Sequence, residues 1–145
     1  MTRPEIQKAS IGDREEIQRI LKEADLPLAG VDAHLEDFLV ARESGAIVGA
    51  IGLEVYGTNG LLRSLAVRPS SRSRGIANAL YLHLVEQARL LGVQRLILLT
   101  TTAEYYFAAR GFHRIDRSAV AGELTASEEF GGACPTSAIC MERIL

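Results

Sequence analysis

The sequence predicts a mixed α/β (α+β) fold. Three observations carry this reading: apolar segments of two different periodicities alternate along the chain, glycines close the helical ones, and hairpin-length turns join the middle strands. With 145 residues, 48% of them hydrophobic and 23% charged, residues 1–145 fit one domain. A chain of this length buries roughly 68–70% of its unfolded surface and needs no disulfide or metal to fold.

Residues 6–10 suit a short first strand. Asp13 reads as a helix N-cap, with Glu16 three positions on as its capping-box partner. Ile17, Ile20, Leu21 and Ala24 then recur at the spacing of a one-sided helix. Leu26-Pro27-Leu28-Ala29-Gly30 breaks it, and residues 31–37 read as a loop or short helix. Residues 38–42 and 46–56 form two strands around the turn Glu43-Ser44-Gly45. A second turn, Gly57-Thr58-Asn59-Gly60, leads into a strand over residues 61–67, completing an antiparallel meander. Residues 75–91 are the strongest helix, closed by Gly92. Residues 95–100 are almost wholly apolar, as in a buried strand. A short helix over 103–110 ends at Gly111, and residues 112–115 follow as a strand. Residues 119–130 read as partly helical, because Thr125 and Glu128 have capping-box spacing, and residues 137–143 form the last strand.

Charge is unevenly placed. The whole chain carries −2, yet residues 55–85 contain Arg63, Arg68, Arg72 and Arg74 and no acid, a local +4. The average excludes a disordered chain and gives no sign of nucleic acid or a membrane surface as partner. The N-terminus MTRPEIQKAS has no apolar signal-peptide core, and no apolar run approaches the roughly 20 residues of a membrane span. This predicts a cytoplasmic setting, where Cys134 and Cys140 stay reduced. The two cysteines read as small hydrophobes; the alternative is an arsenite or soft-metal site through thiolates. Their spacing lacks the further ligands of a metal centre, so no metal is expected.

The most informative segment is LLRSLAVRPSSRSRGIANAL. An apolar strand ends at Val67, a loop follows, and Arg72-Ser73-Arg74-Gly75-Ile76-Ala77 opens the long helix. Free amides at a helix start carry partial positive charge, and Gly75 and Ala77 leave room for a phosphate. Arg68, Arg72 and Arg74 can add charge at the same end. GxxxxGK[ST] and GxGxxG are both absent, which excludes a Walker loop and a dinucleotide fingerprint.

Here the chain resembles the GNAT superfamily, the GCN5-related N-acetyltransferases. Arg72, Gly75 and Ala77 match its R/Q-x-x-G-x-G/A motif, and Leu65-Ala66-Val67-Arg68-Pro69 matches the strand before it. Ala103 to Phe112 matches a second element, a short aromatic helix followed by Gly-Phe. The resemblance implies a GNAT fold: a mixed sheet of six or seven strands, about four helices, and a splay between strands four and five, here residues 61–67 and 95–100. It also implies acetyl-CoA as co-substrate. Pantetheine would lie along Leu65, Ala66 and Val67, and pyrophosphate on the amides of Arg72, Ser73, Arg74, Gly75, Ile76 and Ala77. Thr100 stands where many members have an Asn near the cofactor. An amide near Leu65 would polarise the thioester carbonyl. Many members place a Tyr, the acid to the leaving thiolate, where this chain has Phe107.

LRSLAV and LLTTTAEYYFAARGF look like the amino-acid-acetylating branch, and residues 125–141 look like GNAT proteins associated with arsenic resistance. The implied acceptor is a small, amino-acid-like amine. Glu54 is the candidate base, since it interrupts an apolar strand and shares a face with Tyr56. Arg63, read as sharing a face with Leu65 and Val67, either grips a substrate carboxylate or pairs with Glu54. An acyl-CoA-binding sensor without turnover is the alternative function. A homodimer is compatible with the sequence, though no residue pattern specifies one.

Overall fold

In a computed structural model, which describes residues 4–145, seven strands form one mixed sheet. The first three residues of the N-terminal stretch lie outside the described residues. The strands are β1 (Glu5–Lys8), β2 (Leu39–Glu43), β3 (Ala46–Tyr56), β4 (Asn59–Val67), β5 (Arg95–Thr100), β6 (His113–Ile115) and β7 (Ile139–Ile144). Their order across the sheet is β1-β2-β3-β4-β5-β7-β6. Only β4 and β5 run parallel; every other neighbouring pair is antiparallel. The α-helices are α1 (Arg14–Glu23), α2 (Ile76–Leu90) and α3 (Glu104–Ala108).

Each face of the sheet buries its own core. Ile17, Ile20 and Leu21 of α1 pack with Phe38 and Val40 on one side. Leu80, Leu84 and Ala88 of α2 pack with Ile51, Leu53 and Leu62 on the other. Gly52 lies beneath the Phe38 ring, where an added Cβ would sit 2.4 Å from the ring carbon Cζ.

Two local readings are corrected. Asp13 stands at the N-cap of α1, as read, but makes no side-chain cap there with Glu16 as partner; its carboxylate instead accepts from the Ser10 amide at 2.9 Å, in a capping box that opens a short 3-10 segment (Ile11–Asp13) before α1. Asp13 is held there by Arg42, 2.5 Å away on β2, a partner with no sequence signal. Residues 119–130 do not form a helix capped by Thr125. The Thr125 hydroxyl donates to the Gly122 carbonyl at 2.7 Å, and the region breaks into short 3-10 and π turns. Positive φ at Gly122 (87°) and Gly132 (128°) interrupts any longer helix. The segment nonetheless covers the sheet, burying Val120 and Leu124 against Leu61 and Ile97.

β4 and β5 pair over only three positions, Asn59 with Arg95, Gly60 with Leu96 and Leu61 with Ile97. Beyond these they diverge, while β5 stays paired with β7 to Thr100. A bulge in β4 accompanies the divergence. Ala50 opposes Ala66 and Gly52 opposes Arg63, so two residues of β4, Ser64 and Leu65, face one of β3. Ser64 sits at φ 61°, in the left-handed region. Such a bulge bends the strand and increases its twist. It also flips the alternation of side chains. Leu62, Leu65 and Val67 therefore all face the α2 core, and Arg63 does not share their face, contrary to simple two-residue alternation.

Candidate active site

The splay opens a cavity of about 840 Å³. One wall is β4 at Leu65, Ala66 and Val67; the other is β5 and its continuation from Leu98 to Thr102. Past Leu61 the β5-facing side of β4 has no strand partner. Its backbone groups there are available to an extended ligand, as in strand addition.

One end of the cavity reaches the start of α2, at Arg72 and Ala77. The loop before it holds a 3-10 turn over Pro69–Ser71 and positive φ at Ser73 (64°) and Gly75 (79°). Gly75 caps α2, and its carbonyl takes the Ala79 amide at 3.0 Å. The amides of residues 76–78 precede the first helical hydrogen bond and lack helical acceptors. A Cβ built at Gly75 meets no atom within 4 Å, so the space above the loop is open.

The charge expectation at this loop needs revision. Arg68 turns away to the Ile47 carbonyl at 2.8 Å and to Glu16. Arg74 donates to Glu43 at 2.9 Å. Arg63 pairs with Glu54. Thus three of the four arginines in the acid-free stretch meet carboxylates from elsewhere in the chain. Arg72 has no carboxylate within 4.0 Å among the described residues; its Nε donates to the Val67 carbonyl at 3.1 Å, which pins it across the loop.

At the β5 end, the Thr100 hydroxyl accepts from the Ala103 amide at 3.0 Å and shapes the turn into α3. Phe107 is buried, its ring edge-on to Tyr106 and Phe112. Tyr105 is 89% exposed. Both Tyr105 and Tyr106 line the cavity, and the Tyr106 hydroxyl is buried with no hydrogen-bond partner among the described residues. Burial pushes its phenol up. The adjacent Arg110 guanidinium stacks 3.5 Å from the ring centroid. The groups acting on this phenol are Arg110 and Tyr81.

The opposite end is lined by Leu26, Pro27, Arg63, Glu129 and Cys134. Arg63 is 2% exposed and Glu54 1%. Arg63 Nη1 donates to Glu54 at 2.7 Å, Nη2 to the Pro27 carbonyl at 3.1 Å, and Nε to the Ser64 hydroxyl at 3.0 Å. Glu54 also accepts from the Tyr56 hydroxyl and lies 3.3 Å from His34 Nε2. Its carboxylate is thus engaged by Arg63, Tyr56 and His34, and it does not line the cavity. Of the two roles weighed for Arg63, the geometry is that of the Glu54 partner.

Glu129, missed in the sequence, is 3% exposed and does line the cavity. Only its place after the second turn-rich segment, far from the motif, marks it, and that is no usable signal. Burial pushes its carboxyl up, against the pull of Arg63 and of the Cys134 thiol. The Cys134 thiol, partly buried beside this carboxylate, is pushed up to about 12. Cys140 is buried in the core with Leu61 and Ile97 and does not line the cavity. Among the described residues no group of three His, Cys, Asp or Glu side chains is placed to hold a metal ion.

A sheet splayed over a helix N-terminus, with a long cavity joining them, has the shape and the amide-lined end that suit an extended anionic ligand. Residues 5–116 match the sequence profile of the Acetyltransferase (GNAT) family, and the chain belongs to that family. Among curated relatives, the amino-acid acetyltransferase of Mycobacterium tuberculosis is 34% identical over 94 residues, covering 62% of this chain and 53% of that protein. That of Neisseria meningitidis is 30% identical over 84 residues, covering 57% of this chain. The chain spans only 19% of the length of the latter. Among solved structures, N-acetylglutamate synthase from Neisseria gonorrhoeae, complexed with coenzyme A and N-acetyl-glutamate, superposes with a TM-score of 0.84. It is 24% identical, covering 98% of this chain and 35% of that one, a likeness of fold. A Mycobacterium tuberculosis protein in complex with CoA gives 0.83 at 25% identity, covering 98% of this chain and 99% of that one. The chain is thus an acetyltransferase by family, and the Neisseria gonorrhoeae and Mycobacterium tuberculosis structures it resembles hold coenzyme A.

Proposed function

We propose that the protein transfers the acetyl group of acetyl-CoA to the primary amine of a small, amino-acid-like molecule. The observation that carries this reading is the single cavity joining the unpaired edge of β4 to the open start of α2. In this reading Leu65, Ala66 and Val67 pair with pantetheine, and the amides of Arg72, Ser73, Arg74, Gly75, Ile76 and Ala77 hold the pyrophosphate. Thr100 shapes the wall beside it. The bulge at Ser64 aims the backbone near Leu65 at the thioester carbonyl, where an amide stabilises the developing oxyanion. Glu54 acts through Arg63, holding the guanidinium on the acceptor side, and Arg63 supports the Pro27 loop that borders it.

An amino-acid-like acceptor is supported by the amino-acid acetyltransferase relatives. A role in resistance to arsenicals or other toxic amines, in the cytoplasm, rests on the resemblance of residues 125–141. Thiol release from acetyl-CoA over a panel of amino acids and alkylamines tests the reading, and failure to bind acetyl-CoA sinks it. The burial of Phe107 where many relatives carry an acid favours a second reading, an acyl-CoA-binding module without turnover. Tight acetyl-CoA binding with no thiol release over the panel would select it.

A further inference from the structure

The acceptor end of the cavity carries an unbalanced buried charge. Glu54 and Glu129 are 1% and 3% exposed. One guanidinium serves both: Arg63 Nη1 lies 2.7 Å from Glu54, and Arg63 Nε lies 3.5 Å from Glu129. Two carboxylates on one guanidinium leave a net negative charge out of water, which is costly unless a cation or a proton joins them. His34 reaches Glu54, at 3.3 Å. Glu129 has only the longer contact to Arg63 and the Cys134 thiol. It is also the one of the two carboxylates that lines the cavity. The charged or titratable groups acting on it are Arg63 on β4, Glu54 on β3, and Cys134 beyond its own turn.

Resting on the acetyl-transfer reading above, we propose that Glu129 receives the acceptor as its ammonium ion and takes a proton from it, making this half of the cavity a site for cationic primary amines. The ammonium completes the charge of the Glu54–Arg63–Glu129 cluster. One N–H proton passes to Glu129, which frees the nitrogen lone pair. That pair forms the N–C bond to the thioester carbonyl carbon, and the C–S bond breaks with its electron pair going to sulfur. The second nitrogen proton goes to the thiolate, giving amide and free thiol, and Glu129 returns its proton to solvent. A buried carboxylate suits the step, because burial makes it a stronger base than one in water.

The test uses the full chain, acetyl-CoA, and a panel of amino acids, simple alkylamines and the matching alcohols. Wild type should release thiol with the amines and not with the alcohols. Its kcat/KM should fall as pH drops through a midpoint above the ordinary carboxylate range, since the base works only when deprotonated. Glu129→Gln should lower kcat/KM for amines by about 100-fold or more and abolish that acid limb, with acetyl-CoA affinity within about threefold of wild type. Glu129→Asp should recover part of the rate and move the limb. A merely structural role would shift melting temperature and donor affinity while leaving the limb in place. If Glu129→Gln fails to fold, Glu129→Asp carries the test, and an unchanged rate and limb there overturn the inference. Full activity in Glu129→Gln overturns it while leaving acetyl transfer intact. Donor binding without thiol release from any amine in wild type overturns both.

Discussion

Replacing Arg63 with methionine removes the cation at the centre of a buried cluster while keeping most of its volume. Arg63 is 2% exposed and holds Glu54 at 2.7 Å, the Pro27 carbonyl at 3.1 Å and the Ser64 hydroxyl at 3.0 Å. Methionine leaves the Glu54 carboxylate, 1% exposed, without its counter-charge. Breaking a buried pair from one side costs about 3–5 kcal/mol, most of it the penalty of the stranded charge. For a chain of this size each kcal/mol shifts Tm by about 2–4 °C, so a fall of roughly 6–20 °C is expected. Removing Glu54 as well, in Arg63→Met with Glu54→Leu, should recover part of that loss, because Glu54 is no longer stranded while Glu129 still lacks Arg63. Urea unfolding followed by far-UV circular dichroism measures both variants; the chain has no Trp to report by fluorescence. Arg63→Met costing less than about 1 kcal/mol would refute the reasoning, as would a double variant less stable than the single one. Such a result would mean that water or another cation reaches Glu54.

Three further outcomes follow from the geometry. Ser64→Val should lose about 1–2 kcal/mol relative to Ser64→Gly, because a β-branched residue resists the left-handed bulge at φ 61°; urea midpoints compare the two, and acetyl-CoA titration checks whether valine also flattens the donor wall. Arg72→Ala should weaken acetyl-CoA binding by about tenfold or more, as loss of a charged hydrogen bond to phosphate predicts. Arg74→Ala should do so less, since Arg74 is already paired with Glu43; calorimetric titration ranks them, and the reverse order would count against the loop assignment. With its thiol pushed up to about 12, Cys134 should hold only about one thiolate in 10⁴ at pH 8. Its alkylation by iodoacetamide should then run far slower in the folded chain than in urea, and mass spectrometry following this residue reads the difference.

Much of the architecture is legible in the amino-acid order alone. The hairpin around Ser44 and Gly45, the strand at residues 95–100 and the long helix ended by Gly92 follow from periodicity and turn chemistry, which act within a few residues. The loop proposed to hold the phosphates is legible for the same reason: Gly75 and the amides after it are local features of a helix start. The misreadings share the opposite character. One Asp13 oxygen serves Ser10 and the other is held by Arg42, 29 residues away. The segment 119–130 packs its apolar residues on Leu61 and Ile97 instead of on its own helical face.

The sequence by itself determined the family, the loop and helix start proposed to hold the donor, and the order of the elements, because each is written in short-range patterns of size, charge and glycine. Only the tertiary structure decided where the charge goes. The acid-free stretch from 55 to 85 looks like a +4 patch, yet folding brings Glu54, Glu16 and Glu43 onto three of its four arginines. One bulged residue at Ser64 turns Arg63 off the face of Leu65 and Val67 and into that network. Folding also places Glu129 in the cavity wall, where burial pushes its carboxyl up, and no spacing rule encodes that. Ion pairing and desolvation depend on distances between segments far apart in the chain, and those exist only once the sheet has closed around them.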